Sequence, residues 1–182
     1  MIKMTTTIPN LIFQEETNEC GLACVAMLAQ TQGQPVSLAT LREWFPASDH
    51  GTSLDMLMRI LARLGIATTP VLFEHDELSS LPLPAILHYG ASHYVLLAWR
   101  KGNHVCVMNP AIGEQWLPFA ALKQEISGYA LIVEPEQAFA ADPDLPLSTA
   151  AQSAPRAMSM QETAAVPGIY RLMLLTFLVS LT

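Results

Sequence analysis

Basic residues are scarce in this chain of 182: Lys and Arg number 9 against 16 Asp and Glu, for a formal net charge of -7. No block of Lys and Arg occurs, so neither a nucleic-acid face nor a polybasic membrane clamp has a stretch to build it. Cysteine is scarce too. Cys20, Cys24 and Cys106 are too few and too oddly counted for a disulfide framework, which points to a reducing compartment. The opening "MIKMTTTIPNLIFQEE" lacks the continuous apolar core of a secretory signal, because Thr, Pro and Asn interrupt it. The folded part is therefore expected to face the cytoplasm. Walker-type phosphate loops and internal repeats are also missing.

What is present divides into three. Residues 1–135 alternate apolar runs with turn signals and form one domain, large enough for a core without disulfides or metal. Residues 136–167, rich in Pro, Ala and Ser with little periodicity, are a linker. From 168 the chain turns apolar, "IYRLMLLTFLVSLT", with one charge at Arg171. That run is several residues short of the roughly 20 a membrane span needs. It reads as the start of a transmembrane helix, since it has no polar face to give to water.

Within the domain, Leu22, Val25, Ala26 and Ala29 recur at helical spacing and predict a helix from Glu19 to about Gln30, with Gly33 as its stop. A short helix is expected over Ser37 to Trp44, capped by Ser37. A third, with Thr52 as cap, carries the stripe Leu54, Leu57, Met58, Leu61 and Leu64, and Gly65 closes it. Beyond it the period becomes that of strands: "IATTPVLF", "PAILHY", "HYVLLAW", "HVCVM" and "YALIV". Helices first and mostly antiparallel strands afterwards make an α+β arrangement.

Cys20 falls in the first turn of the first helix, where unpaired N–H groups and the positive end of the dipole favour a thiolate. Such placement lowers a thiol pKa from about 8.5 into a range of roughly 3.5 to 7.5. Gly21 beside it removes a side chain, which would let a substrate backbone come close. Cys24, one turn on, reads as core, and Cys106, between Val105 and Val107, as structural. A cysteine nucleophile needs a base, and His50, His75, His88, His93 and His104 are on offer. A three-residue loop Arg100-Lys101-Gly102 would pair Trp99 with Asn103, Leu97 with Val105, Val95 with Val107, and His93 with Asn109. Asn109 would then orient the His93 imidazole, completing a Cys-His-Asn triad. His88 is the rival base, with no polar partner that a hairpin supplies. Gln14, six residues before Cys20, offers an amide for the oxyanion. Each of these residues also has a plain reading, as buried cysteine, sheet histidine or solvated glutamine.

Together they resemble a family. "QEETNECGLACVAML" is similar to the Gln-x(5)-Cys-Gly-x-Ala-Cys signature of the bacteriocin-processing peptidase domains that precede some bacterial ABC exporters. "SHYVLLAW" resembles their histidine block and "VMNPAIG" their third block, usually Asp-Pro followed by Gly. The blocks occur in the family's order over roughly residues 8 to 135, and the chain looks most like the peptidase domain of colicin V type exporters.

The resemblance implies a papain-like fold and a cysteine endopeptidase that removes the leader of a secreted peptide after a Gly-Gly type junction. By motif position Cys20 is then the nucleophile, His93 the base and acid, Asn109 the orienting residue and Gln14 the oxyanion donor. No metal or cofactor is called for. The implied partners are a precursor peptide with a double-glycine leader and the membrane and ATPase domains of an exporter. The implied location is the cytoplasmic face of the bacterial inner membrane. Two departures stand out: the family usually has Asp at position 109, and family exporters continue where this chain stops. The alternatives are a catalytically silent cargo-docking domain and an acyltransferase or deamidase on the same fold.

Overall fold

The computed structural model describes residues 8–46, 48 and 51–134. The linker and apolar segment expected from 136 onward, and His50, lie outside them. Three helices come first: α1 (Cys20–Thr31), α2 (Leu38–Trp44) and α3 (Leu54–Arg63). A sheet follows, built from β1 (Thr68–Leu72), β2 (Ala85–Tyr89), β3 (His93–Lys101), β4 (His104–Asn109), β5 (Gly113–Pro118) and β6 (Ile126–Val133). Before β6 comes the short helix α4 (Phe119–Leu122). The strands are antiparallel in the order β1-β6-β2-β3-β4-β5. This is the α+β class expected, with helices ahead of the sheet.

The first helix is buried all round rather than on one stripe: every residue but Gln30 is shielded from solvent. It lies between the sheet and the other two helices. Leu22, Val25 and Leu28 join Leu41 of α2, Leu57 and Ile60 of α3, and Leu96 and Met108 of the sheet in one core. A second core on the sheet's other face holds Leu87, Val95, Leu97, Val105 and Val107 against Leu78, Phe119 and Leu122. Both faces of the central strands are covered, which explains their continuous apolar runs.

Ser37 caps α2 as expected, its Oγ accepting from the Thr40 N–H at 3.0 Å. For α3 the cap is Ser53, accepting from the Met56 N–H at 3.3 Å, and not Thr52. An N-cap oxygen must reach the N–H three residues on, and extended Ser53 is the residue that does so. The Thr52 hydroxyl is buried without a partner among the described residues. Strand β5 has no counterpart in the sequence reading, because "GEQWLP" lacks alternation.

The β3–β4 hairpin also departs from expectation. Lys101 pairs with His104, leaving a two-residue Gly102-Asn103 turn with Gly102 at φ 57°, a conformation such turns favour. A bulge between Leu97 and Trp99 takes up an extra residue, and Leu97 pairs with Val107 rather than Val105. Asn109 is thereby carried past His93, to the level of Val95. The displacement at that end is two residues, and an even shift keeps side chains on their face.

Candidate active site

Cys20 opens α1, with Glu19 at the N-cap. His93 opens β3 and Asn109 closes β4, so both lie at one end of the sheet. There they meet the start of α1, which packs on β3. His93 Nε2 lies 2.8 Å from Asn109 Oδ1, and the same oxygen accepts the Ala111 N–H at 2.9 Å. Since a backbone N–H must find an acceptor, the atom facing both partners is the amide oxygen. His93 Nε2 therefore carries a proton, and Nδ1 is left for Cys20, with whose thiol the ring interacts.

Burial pushes the Cys20 thiol up, but several effects outweigh it. The His93 hydrogen bond and charge, with backbone hydrogen bonds from Tyr94 and Gly21, bring the thiol below its ordinary value. His93 moves the other way: its bond to Cys20 raises it, burial opposes that, and the Asn109 bond and the Cys20 charge add to the rise. Opposite shifts on bonded partners favour a thiolate–imidazolium pair. Cys20 itself is 5% exposed and Asn109 4%.

Gln14 is brought to the site's rim. Its N–H donates to the Pro110 carbonyl at 3.0 Å, next to Asn109, and its side-chain Nε2 donates to the Glu16 carbonyl at 3.0 Å. One amide hydrogen remains for another acceptor.

The other candidates fall away from the chemistry. Cys24 is fully buried with its thiol driven up by burial and by the Cys20 charge. Burial and Glu114 push the Cys106 thiol up to about 12. His75 lies in a turn and His104 is exposed at the start of β4. No hairpin supplies His88 a polar partner, but Ser127 Oγ, 2.9 Å from its Nδ1, reaches it from β6. Its ring stands edge-on to Tyr94, and burial and the His93 charge lower its pKa.

Gly21 serves packing rather than substrate approach. A Cβ there would lie 2.9 Å from Leu57 Cδ2 and 3.4 Å from Tyr94 Cδ2, so the missing side chain lets α1 close on α3 and β3. The approach to Cys20 lies elsewhere, in a cleft of about 450 Å³ lined by Thr17, Asn18, Thr52, Ser92 and Tyr94. Gly51, Thr52, Ser92 and Tyr94 are shared with a larger cleft of about 560 Å³ that runs on to Trp44, Phe45 and Met56. Sequence reasoning did not find this groove: its walls come from four segments with no common motif.

With this geometry in place, comparison with known proteins is informative. The model for the Peptidase C39 family matches residues 9–138. The probable microcin-H47 secretion/processing ATP-binding protein MchF of Escherichia coli is 38% identical over 132 residues, 72% of this chain and 19% of that protein. The colicin V secretion/processing ATP-binding protein CvaB of Escherichia coli is 38% identical over 129 residues, 71% of this chain and 18% of that protein. The chain thus spans about a fifth of the length of the curated relatives it matches. Among solved structures, a double glycine motif protease from an AMS/PCAT transporter, in complex with the leader peptide, superposes with a TM-score of 0.65 at 26% identity. That match covers 70% of this chain and 92% of the other. The fold is also that of the peptidase domain of Streptococcus ComA, with a TM-score of 0.62 at 23% identity over 71% of this chain and all of that one.

Proposed function

The chain belongs to the Peptidase C39 family of cysteine peptidases, and on that premise we propose that it removes a double-glycine leader from a secreted peptide, as the peptidase part of an ABC exporter. The observation that carries this reading is the His93 imidazole, which bonds Asn109 at 2.8 Å and interacts with the Cys20 thiol so that the thiol is lowered and the imidazole raised.

The Cys20 thiolate attacks the carbonyl carbon of the last leader residue, and the carbonyl π pair moves onto oxygen. The oxyanion accepts from the Cys20 N–H, an orphan donor at the helix start, and from the free Gln14 amide hydrogen. As the tetrahedral intermediate collapses, the C–N bond breaks and His93 passes its Nδ1 proton to the leaving amine. The leader stays as a thioester on Cys20. Neutral His93 then takes a proton from water, whose oxygen attacks the thioester, and the thiolate leaves to re-form the ion pair. Asn109 holds the ring plane throughout, in the role that Asp plays elsewhere in the family, without adding a charge.

The two clefts suit such a substrate. The one at Cys20 is the smaller and more polar of the two, in keeping with a junction of small residues, and the adjoining more apolar one suits the apolar face of a leader helix. The membrane and ATPase domains of an exporter are the partners that reading implies, and the cytoplasmic face of the inner membrane the place.

The test is cleavage of a synthetic precursor whose apolar leader ends in Gly-Gly, followed by product mass. Wild type should yield free leader and mature peptide, and Cys20→Ala neither. Turnover by Cys20→Ala would end the proposal, and binding without cleavage by wild type would favour a docking domain.

A further inference from the structure

The buried carboxylate next to the nucleophile has no part in the mechanism above. Glu19 is only 2% exposed and occupies the N-cap of α1, yet its side chain makes no cap bond to its own helix. It turns back instead. Glu19 Oε2 accepts the N–H groups of Glu15 at 3.1 Å and Glu16 at 3.0 Å. Arg42, from the last turn of α2, donates Nε to Glu19 Oε1 and Nη2 to Glu19 Oε2 at 3.1 Å. The same Nη2 reaches Glu15 Oε2 at 2.7 Å. The Arg42 bond is the largest cause holding the Glu19 carboxyl below its usual range.

Buried charge is unfavourable unless fully paired, and a serine would cap α1 without that penalty. What the carboxylate provides in place of a cap is a fixed path for residues 14–16. The peptide whose N–H it holds at Glu16 leads to the Glu16 carbonyl, which receives Gln14 Nε2. Gln14 Oε1 has no partner among the described residues, so the side chain's placement rests on that single bond. We propose that Glu19 and Arg42 are positioning residues that set the Gln14 amide for the oxyanion, through the backbone of residues 15 and 16. The inference rests on the peptidase reading given above.

The experiment is a double-mutant cycle on the full chain, with two readouts. Iodoacetamide alkylation of Cys20, with Cys24 and Cys106 replaced by Ala, reports the Cys–His pair and needs no oxyanion donor. Single-turnover cleavage of the Gly-Gly precursor needs both. Gln14→Ala should slow cleavage by about 10²–10³ and Arg42→Gln by about tenfold or more, each with alkylation within twofold of wild type. Combined, they should be no slower than Gln14→Ala alone, because both changes remove the same donor. A lone buried carboxylate can unfold the chain, so Glu19→Gln/Arg42→Met, neutral at both positions, is measured beside it with the same expectation. Multiplying losses in the combined variant overturn the clamp, as does alkylation falling in step with cleavage, or full cleavage by Gln14→Ala. None of these touches the peptidase reading, which fails if Cys20→Ala still cleaves or if wild type binds the precursor without cleaving it.

Discussion

Replacing Gly21 by Ala tests whether the site is built by close packing. The new Cβ would stand 2.9 Å from Leu57 Cδ2, against an ordinary carbon–carbon contact of about 3.5–4.0 Å. Something must therefore give by roughly 0.6–1.1 Å. Leu57 is fully buried between α3 and α1 and has no solvent to retreat into, and Tyr94, the next neighbour at 3.4 Å, follows His93 in β3. Overpacking of this kind costs about 1–3 kcal/mol. Against it stands the gain from a stiffer unfolded chain, about 0.4–1 kcal/mol. The net expectation is a loss of about 1–2 kcal/mol in urea unfolding. The functional effect should be larger than the loss of stability suggests. If the clash with Leu57 shifts α1 by most of an ångström, Cys20 shifts relative to His93, and misplacement of about 1 Å can reduce a rate about 10²-fold. Alkylation of Cys20 near neutral pH should fall along with cleavage, since the ion pair itself is stretched. A variant that is more stable than wild type by about 1 kcal/mol and alkylates normally would show that the space exists, and the packing argument would be wrong.

Two further outcomes follow from the charges. The Cys20 thiol is held down chiefly by the His93 bond, against burial, and His93 is held up by Cys20; cleavage, which needs thiolate and imidazolium together, should therefore appear as pH rises through the depressed thiol value and persist until the raised His93 value is passed, while alkylation shares only the lower limit. In His93→Ala the alkylation profile should shift upward, and an unshifted profile would show that the pair does not form. Asn109→Asp puts a negative charge where a neutral oxygen now meets His93 Nε2, so cleavage should be equal or faster and its alkaline limb should move up. Asn109→Ala frees the ring and strips Ala111 N–H of its acceptor, with an expected loss of about 0.5–1.5 kcal/mol of stability per hydrogen bond and a clear fall in kcat. A slower Asn109→Asp would mean that the site is tuned to the amide.

Local signals carried far in this chain. The first helix, expected from Glu19 and found from Cys20, the Ser37 cap and five of the six strands follow from periodicity, turn residues and β-branched content, because those patterns depend on neighbours a few residues apart. That His93 and Asn109 share one end of the sheet also followed from the hairpin, even though its register was misread. The error came from a bulge, which a pattern of alternating residues does not announce, and from reading Gly102 as the third loop residue rather than the first of two. An error of two residues preserved the face, and the inference survived for that reason.

Residue order alone supplies the chemical groups and their succession: a thiol at a helix start, an imidazole and an amide on successive strands, a glutamine six residues ahead. Tertiary structure decided what each group experiences. Only the packing of α1 against α3 and β3 makes Gly21 a contact residue, and only the return of β6 gives His88 its serine. The groove walls meet from four separate segments. Glu19 and Arg42, 23 residues apart, become one ion pair because α2 folds back across the start of α1. Such contacts depend on where whole elements come to rest, and no spacing along the chain encodes that distance directly.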